Sequence, residues 1–286
     1  MLTSIRMARL QVSLIKYLNK LRRRKAGGHV GEWGETPEAW VQINTAQLRA
    51  MVRSEPENVM TFLQWEDTLC DRGIAEPLLI EYGMWHELVA LYYAHGDHRS
   101  ALTLLEEHGQ GADESHPLHG VQPTIDYLQS LGGSQKSIVF EFSRWVLRSR
   151  PAHAMAIFTG TAPPSPGSAK GMSIIHGRGG KPPEPLPIQA VLDHLKTFDD
   201  DNKDRGDAPS LRIDFLEHVV QQGMTEEKYH NELVLLYLDG VQKLKHALAA
   251  KQAGQTSGPI TRYLFVCICI ACLLQRGIIC SPRSPF

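Results

Sequence analysis

The chain contains 286 residues, 42% of them hydrophobic, with 30 Lys and Arg against 31 Asp and Glu. This length suits one large domain or two small ones with a sizeable core, and the balanced charge excludes a general affinity for nucleic acid. Four of the five cysteines lie in the last twenty residues, a pattern that is not a disulfide framework and is typical of a reducing compartment.

An amphipathic helix is predicted over about residues 5–24. Its apolar residues share one face: Met7, Leu10, Leu14, Tyr17, Leu18 and Leu21. Residues 1–25 hold eight Lys or Arg and no acidic residue, and we assign 1–26 as a basic helical segment. It is an ordinary solvated helix, a surface for an anionic membrane or a partner, or a mitochondrial targeting sequence. Because charges interrupt its apolar residues, we expect no secretory signal peptide.

Two further helices are predicted at 38–53 and 58–70. The apolar residues that support them are Trp40, Val41, Ile43 and Leu48 in the first, and Val59, Phe62 and Leu63 in the second.

Residues 84–108 predict two short helices, 84–94 and 98–108, joined by a tight turn. One apolar stripe holds Trp85, Leu88, Val89 and Tyr92. A glycine in the sequence His95-Gly96-Asp97 breaks the period, which restarts at Ala101, Leu104 and Leu105. A single helical hairpin cannot bury its own apolar face, so this pattern indicates a stack of such hairpins, a helical solenoid.

The helical pattern continues to residue 158. A helix over 121–131 ends at Gly132-Gly133, and the next has the clearest stripe of the chain, formed by Ile138, Val139, Phe142, Trp145 and Val146. We expect Trp145 to lie in the core. Pro151 opens a short helix to Phe158, since proline is tolerated in the first turn.

Residues 159–187 are rich in proline and glycine, and we predict a disordered insertion there. Apolar periodicity resumes with Ile188, Val191, Leu192 and Leu195. After a polar break at 199–207, helices are predicted at 209–222 and 225–251. The last of these has a stripe of Tyr229, Leu233, Leu236, Tyr237, Val241 and Leu244.

No strand alternation is visible before residue 262. We therefore predict an all-α fold, an α-solenoid of stacked antiparallel helix pairs over 38–158 and 188–251. An atypical apolar tail, 252–286, carries Cys267, Cys269 and Cys272. It is a buried tail, a short membrane anchor or a metal site, although twelve apolar residues are too few to span a bilayer comfortably.

No pattern in the sequence predicts catalysis, and we expect no catalytic, cofactor-binding or metal-binding residue and no cofactor. The glycine-rich run at 176–181 lacks the first glycine, the hydroxyl and the helix of a phosphate loop. The pairs His95/His98 and His116/His119 lack the third and fourth ligands that zinc needs, so we expect surface histidines. The proline segments 163–166 and 182–187 are linkers or ligands for polyproline-binding grooves.

Five sequence blocks carry a family resemblance: ELVALYYAHGDHRSALTLL (87–105), SHPLHGVQPTIDYLQSLG (115–132), FEFSRWVLRSRPAHAMAIFTG (140–160), IDFLEHVV (213–220) and YHNELVLLYLDGV (229–241). In order and spacing they resemble the clathrin-heavy-chain-repeat segment of one family of tethering subunits. This is the family of the Vam-six/Vps-thirty-nine-like and transforming-growth-factor-beta-receptor-associated proteins. The β-propeller-like citron-homology domain of that family has no counterpart here, and the similarity stops near Leu248.

The resemblance implies a non-enzymatic scaffold in endosome–lysosome or vacuole trafficking, in complexes of the HOPS or CORVET type. Its implied partners are other tethering subunits and Rab-type GTPases, with no nucleic acid, and its implied location is cytoplasmic and peripheral on endosomal or lysosomal membranes. Two alternatives stay open. One is a membrane-associated adaptor that uses the basic helix and the apolar tail, and the other is a mitochondrially targeted helical protein.

Overall fold

A computed structural model describes residues 2–26, 36–65, 68–160, 184–201, 210–223 and 226–253. In these ranges every regular element is helical, and none is a strand. The α-helices are α1 (Leu2–Ala26), α2 (Pro37–Ser54), α3 (Val59–Leu63), α4 (Arg72–Glu81), α5 (Trp85–Ala94), α6 (His98–Gly109), α7 (Gln122–Leu131), α8 (Lys136–Ser149), α9 (Pro151–Thr159), α10 (Ile188–Asp201), α11 (Leu211–Gln221) and α12 (Glu227–Ala253).

The chain divides into two compact units, Met1–Val191 and Leu192–Phe286. In the first unit each helix packs on the next or on the next but one: α1 on α2, α2 on α4, α4 on α5, α5 on α6, α6 on α7 and α8, and α7 on α8 and α9. In the second unit α11 packs on α12. This sequential stacking of helices confirms the predicted all-α, solenoid-like fold.

The hairpin of α5 and α6 follows the prediction closely. The turn depends on Gly96, whose φ of +71° is a left-handed conformation that favours glycine. The Asp97 carboxylate then caps α6 by accepting a hydrogen bond from the Ser100 backbone N–H at 3.3 Å. Leu88 and Val89 of α5 and Leu105 of α6 are fully buried, so both helices turn their apolar stripes inward.

The predicted stripe of α8 is the core face of that helix. Val139, Phe142, Trp145 and Val146 are buried, which confirms the expectation for Trp145, while Ile138 is only partly covered. Pro151 stands at the first position of α9, as predicted, and Gly160 ends that helix with a φ of +68°. The stripe of α10 is also confirmed, since Val191, Leu192 and Leu195 are buried.

The predicted helix over 58–70 is too long, although its stripe of Val59, Phe62 and Leu63 is buried as expected. The helix α3 ends at Leu63, and the chain at Thr68–Cys70 is not helical. The Asp71 backbone N–H donates to the Thr45 hydroxyl at 2.7 Å, which ties this connection to α2. The Asp71 side chain then caps α4 through the Gly73 N–H at 2.9 Å. Sequence reasoning missed α4 altogether, because Pro77 lies inside that helix and is a usual helix breaker.

The buried face of α2 is more polar than its apolar residues suggest. Trp40, Val41 and Ile43 are only partly covered, whereas the polar side chains of Asn44, Thr45 and Gln47 on the same helix are buried. The amide of Asn44 donates to the Leu69 carbonyl at 3.0 Å, and that of Gln47 donates to the Asn19 side chain at 2.8 Å. These hydrogen bonds offset the cost of removing the amides from water.

The shared apolar face predicted for the first helix is only partly a core face. Ile15 and Leu18 are buried, but Leu10, Leu14 and Tyr17 are exposed. The stripe along α12 changes in the same way, because Tyr229 and Leu233 are buried while Leu236, Tyr237 and Val241 are half-buried. Helix periodicity alone therefore overestimates the buried surface at both helices.

Several predicted features lie outside the described residues. They include most of the insertion at 159–187, the run 176–181, the proline segment 163–166, and the tail cysteines Cys267, Cys269 and Cys272. The predicted segment boundaries stay predictions.

Candidate functional surfaces

The two histidine pairs singled out by the sequence do not form two equivalent sites. His95 is exposed at the C-terminal end of α5. His98 is instead half-buried, and its Nδ1 lies 3.0 Å from the hydroxyl of Tyr127 on α7. Its ring also contacts Tyr93 at a centroid distance of 5.4 Å. His98 is therefore a packing residue between helices, and its description as a surface histidine is wrong.

Of the second pair, His119 is half-buried, and only His116 belongs to a cluster that the sequence did not indicate. The ring of His116 stacks on that of His108 at a centroid distance of 4.0 Å with an interplanar angle of 3°. Trp85 lies against both rings, at 4.9 Å from His108 and 5.0 Å from His116. We call Trp85, His108 and His116 the indole–imidazole cluster. It joins the start of α5, the end of α6 and the connection that follows α6.

Electrostatics and hydrogen bonding favour a neutral His116 in this cluster. Burial lowers the pKa of His116, and His108 lowers it further, with Asp113 acting in the opposite direction. The Leu118 backbone N–H donates to His116 Nδ1 at 3.2 Å, so the proton of the neutral ring is assigned to Nε2. Protonation of Nδ1 would break that hydrogen bond and place a charge beside a second imidazole.

The geometry of the described chain does not support metal binding or a nucleophilic thiol. No group of three or more His, Cys, Asp or Glu side chains in the described ranges is arranged to hold a metal ion. Burial raises the pKa of the Cys70 thiol to about 12, which keeps this thiol protonated at neutral pH. A protonated thiol is neither a good nucleophile nor a good metal ligand.

The carboxylates Glu106 and Asp199 make hydrogen bonds that serve local structure. Glu106 accepts a hydrogen bond from the Gln110 side chain at 3.0 Å near the end of α6. Asp199 accepts one from the Ser210 hydroxyl at 2.6 Å, next to the first residue of α11. Burial raises the pKa of Asp199, and that hydrogen bond opposes the shift. Asp199 also interacts electrostatically with Asp214 of α11, whose pKa is raised by burial first and by Glu217 and Asp199 in addition.

Charged side chains link helices that are next but one along the chain. Arg72 of α4 forms an ion pair with Asp97, the cap of α6, and its guanidinium lies 5.0 Å from the ring centroid of Tyr92 on α5. Arg99 of α6 makes two hydrogen bonds to Glu141 of α8, at 2.8 and 2.6 Å. These contacts fix the register of neighbouring helices more than they stabilise the fold, because exposed ion pairs contribute little free energy.

Exposed apolar side chains mark two surfaces that suit binding. On α1 they are Leu10, Leu14 and Tyr17, which we call the α1 stripe. On α12 they are Val234, Leu235 and Leu238, which we call the α12 patch. In each case the large apolar residues lie on adjacent turns of one helix, whereas single exposed apolar residues are normal on any protein. Among the helices of the described chain, none is long and apolar enough to cross a bilayer.

Comparison with known proteins confirms the family resemblance. Residues 43–147 match the family model described as Vacuolar sorting protein 39 domain 1. The Vam6/Vps39-like protein of Homo sapiens is 30% identical over 220 residues, which are 76% of this chain and 21% of that protein. The Vacuolar protein sorting-associated protein 39 homolog of Drosophila melanogaster is 29% identical over 245 residues, which are 85% of this chain and 24% of that protein.

A more distant relative, the Vacuolar morphogenesis protein 6 of Schizosaccharomyces pombe, is 28% identical over 125 residues, 41% of this chain and 14% of that protein. The chain thus spans about a quarter or less of the length of these curated relatives. No solved structure matches it. The matched region 43–147 begins within α2 and ends within α8, so it contains the stacked helices between them.

Proposed function

We propose that this chain, which shares its residues 43–147 with the Vacuolar sorting protein 39 domain 1 family, is a non-enzymatic scaffold in endosomal, lysosomal or vacuolar membrane trafficking. The observation that carries the proposal is the coincidence of that match with the stacked helices α2 to α8. Stacked helices present long surfaces for other proteins. The buried, protonated Cys70 thiol and the structural roles of the carboxylates agree with a binding rather than a chemical role.

The proposed complex is of the HOPS or CORVET type, and the proposed partners are its other helical subunits and Rab-type GTPases. Under this proposal the chain is cytoplasmic and reaches endosomal or lysosomal membranes as a peripheral component. Support comes from the relatives, whose names place them in vacuolar sorting and vacuolar morphogenesis.

The α12 patch is the proposed contact with a helix of another subunit. Its apolar residues Leu235 and Leu238 are 65% and 52% exposed. The charges on the same helix are mixed, since α12 carries both acidic and basic residues, among them the ion pair of Asp239 and Lys243 at 2.7 Å. A mixed-charge surface around an apolar centre is the usual composition of a protein–protein interface.

Affinity capture tests this proposal directly. The chain 1–286 is used as bait, and endolysosomal tethering subunits or Rab-type GTPases are expected among the bound proteins. The double substitution Leu235→Glu/Leu238→Glu should remove the bound subunits, because it places charge in an apolar contact. Asn231→Glu/Gln242→Glu, at exposed polar positions of the same helix, adds the same charge and should leave capture unchanged.

Two results would contradict the proposal. Capture of chaperones alone would indicate that the chain does not present a native binding surface. Import of a fluorescent fusion into mitochondria, abolished by removal of residues 1–26, would support the alternative of a targeting sequence.

A further inference from the structure

The α1 stripe faces away from the rest of the first unit. Leu10 is 65% exposed, Tyr17 59% and Leu14 41%. Because successive residues of an α-helix are about 100° apart, these three positions fall in one strip about 60° wide. A helix packed only for its own stability would turn such a strip inward.

The opposite face of α1 is held firmly against its neighbours, so the outward direction of the stripe is fixed. Ile15 and Leu18 are buried, and Asn19 accepts a hydrogen bond from Gln47 of α2 at 2.8 Å. Arg22 donates to Asn44 of α2 and places its guanidinium 4.8 Å from the ring of Phe62 on α3. The residues of α1 that contact α2 and α3 therefore lie on one side of the helix. The α1 stripe lies outside these contacts and stays exposed.

The charge of α1 is of one sign. The helix contains eight Lys and Arg and no Asp or Glu, which leaves 22 of the 30 basic residues, against all 31 acidic residues, for the rest of the chain. Lys16 and Lys20, one turn apart, are exposed beside Tyr17. An apolar strip edged by cations, with a tyrosine among the apolar residues, is the composition of a helix that lies in the surface of an anionic membrane.

Comparison of the charges on α1 and α12 favours a lipid surface over a protein as the partner of the α1 stripe. Among the described side chains, each helix exposes three large apolar residues. Helix α12 contains both acidic and basic residues, whereas every charged residue of α1 is basic. A protein surface that matched α1 would have to be acidic along the full length of the helix. A bilayer with anionic lipids meets that requirement everywhere.

We propose that α1 binds directly to anionic bilayers. Leu10, Leu14 and Tyr17 enter the boundary between headgroups and acyl chains, and Lys16 and Lys20 contact the lipid phosphates. This interaction is separate from the proposed scaffold role, because it uses α1 and not the α12 patch, and because it needs no other subunit. A chain that binds an anionic bilayer through α1 and another subunit through the α12 patch would hold the scaffold at the membrane surface.

Vesicle flotation with the full chain tests the proposal. We expect the protein to float with vesicles of phosphatidylcholine and phosphatidylserine, to stay behind with phosphatidylcholine alone, and to dissociate as sodium chloride is raised. Leu10→Asn/Tyr17→Asn should lower the partition coefficient by about tenfold or more, since it removes the inserted apolar groups. Lys16→Gln/Lys20→Gln should lower it by about tenfold or more as well.

Matched control variants are available on α12. Leu235→Asn/Leu238→Asn and Lys243→Gln/Lys245→Gln remove the same kinds of exposed side chain and should leave flotation unchanged. All four variants change exposed positions, so each should keep the thermal unfolding midpoint of the unaltered protein. Flotation measured only on variants that pass this check excludes misfolding as the cause.

Three results would overturn the proposal. The first is equal binding to vesicles with and without phosphatidylserine. The second is flotation that the α1 variants leave intact or that the α12 controls reduce to the same extent. The third is a dimer in solution that the α1 variants convert to a monomer, because a second copy of the chain would then be the occupant of the stripe. None of these depends on whether tethering subunits are captured, so the two proposals fail separately.

Discussion

Trp85 packs against two histidines that are distant from it in the sequence. It contacts His108 and His116, whose rings are parallel at 4.0 Å. The Nε2 atom of His116 is buried and has no hydrogen-bond partner among the described residues. Protonation of His116 at Nδ1 would remove the hydrogen bond from the Leu118 N–H and is expected to weaken the cluster.

The cluster and His98 predict that the protein loses stability in mild acid. Burial lowers the pKa of both His116 and His98 below the ordinary 6.5. The unfolded chain then binds more protons, so the contribution of these groups is complete above pH 6.5 and is lost as the pH falls from there through the lowered folded values. The free energy of unfolding, measured in urea, should be lower at pH 5.5 than at pH 7.5.

Substitution identifies the residues responsible. His116→Gln should flatten the pH dependence, because glutamine does not titrate. His95→Gln changes an exposed histidine at the end of α5 and should keep the slope of the unaltered protein. If the two variants have the same slope, the cluster does not control acid stability.

Gly109 stands at the closest approach between α6 and its surroundings. A Cβ atom there would lie 2.8 Å from the Gly120 carbonyl oxygen and 2.9 Å from Cη2 of Trp145. Gly109→Ala should therefore destabilise the protein by about 1–3 kcal/mol, because backbone and a buried indole must both move. Gly240→Ala in α12 meets nothing within 4 Å and should be neutral or stabilising by up to about 1 kcal/mol. Chemical denaturation of both variants distinguishes crowding from helix propensity.

At the level of elements, the α5–α6 hairpin depends on one cap that also makes an ion pair. Asp97 accepts from the Ser100 N–H and hydroxyl, and it pairs with Arg72 of α4. The Ser100 hydroxyl bond is the main reason that the pKa of Asp97 lies below its ordinary value. Capping joins α6 to the turn, and the ion pair joins both to α4.

Asp97 substitutions separate these two effects. Asp97→Ala removes both interactions and should cost about 1 kcal/mol in the free energy of unfolding, mainly through the lost cap. Asp97→Asn retains an oxygen that accepts from the Ser100 N–H but loses the charge, and should cost less, since exposed ion pairs contribute little. Equal losses for Ala and Asn would show that the ion pair with Arg72, and not the cap, stabilises the hairpin.

At the level of the whole molecule, the stacking of α1 to α9 predicts that residues 1–160 fold by themselves. The helices that pack against α1 to α9 lie within that range. Truncation after residue 160 removes Glu184, whose carbonyl accepts a backbone hydrogen bond from the Gly133 N–H. We expect a helical circular dichroism spectrum and cooperative unfolding. Trp145→Ala, which empties a buried site, should cost about 3–5 kcal/mol in both the full chain and the fragment.

A different cost in the two proteins, or a fragment without cooperative unfolding, would contradict this expectation. Trp145→Phe provides the control. It retains an aromatic ring and removes an indole N–H that has no hydrogen-bond partner among the described residues. It should therefore cost less than Trp145→Ala.

The sequence by itself determined where most helices begin and end. The bounds of α5, α6, α7 and α9 agree with the predicted ones to within a residue or two, because Gly96, Gly132 and Pro151 interrupt a 3.6-residue apolar period at those points. These are local effects, carried by residues a few positions apart. The family resemblance followed from the same periods in their order along the chain.

Only the tertiary structure decided which face of a helix is used. It buries Ile15 and leaves Leu14 exposed. It also buries the amide of Asn44, whose N–H donates a hydrogen bond to the carbonyl of Leu69, twenty-five positions away. It also brings His108 and His116 together against Trp85. Burial and ring stacking depend on partners that are distant in the chain, and periodicity within one helix carries no information about them. For that reason most helices were predictable, α4 being the exception, while the α1 stripe and the indole–imidazole cluster were not.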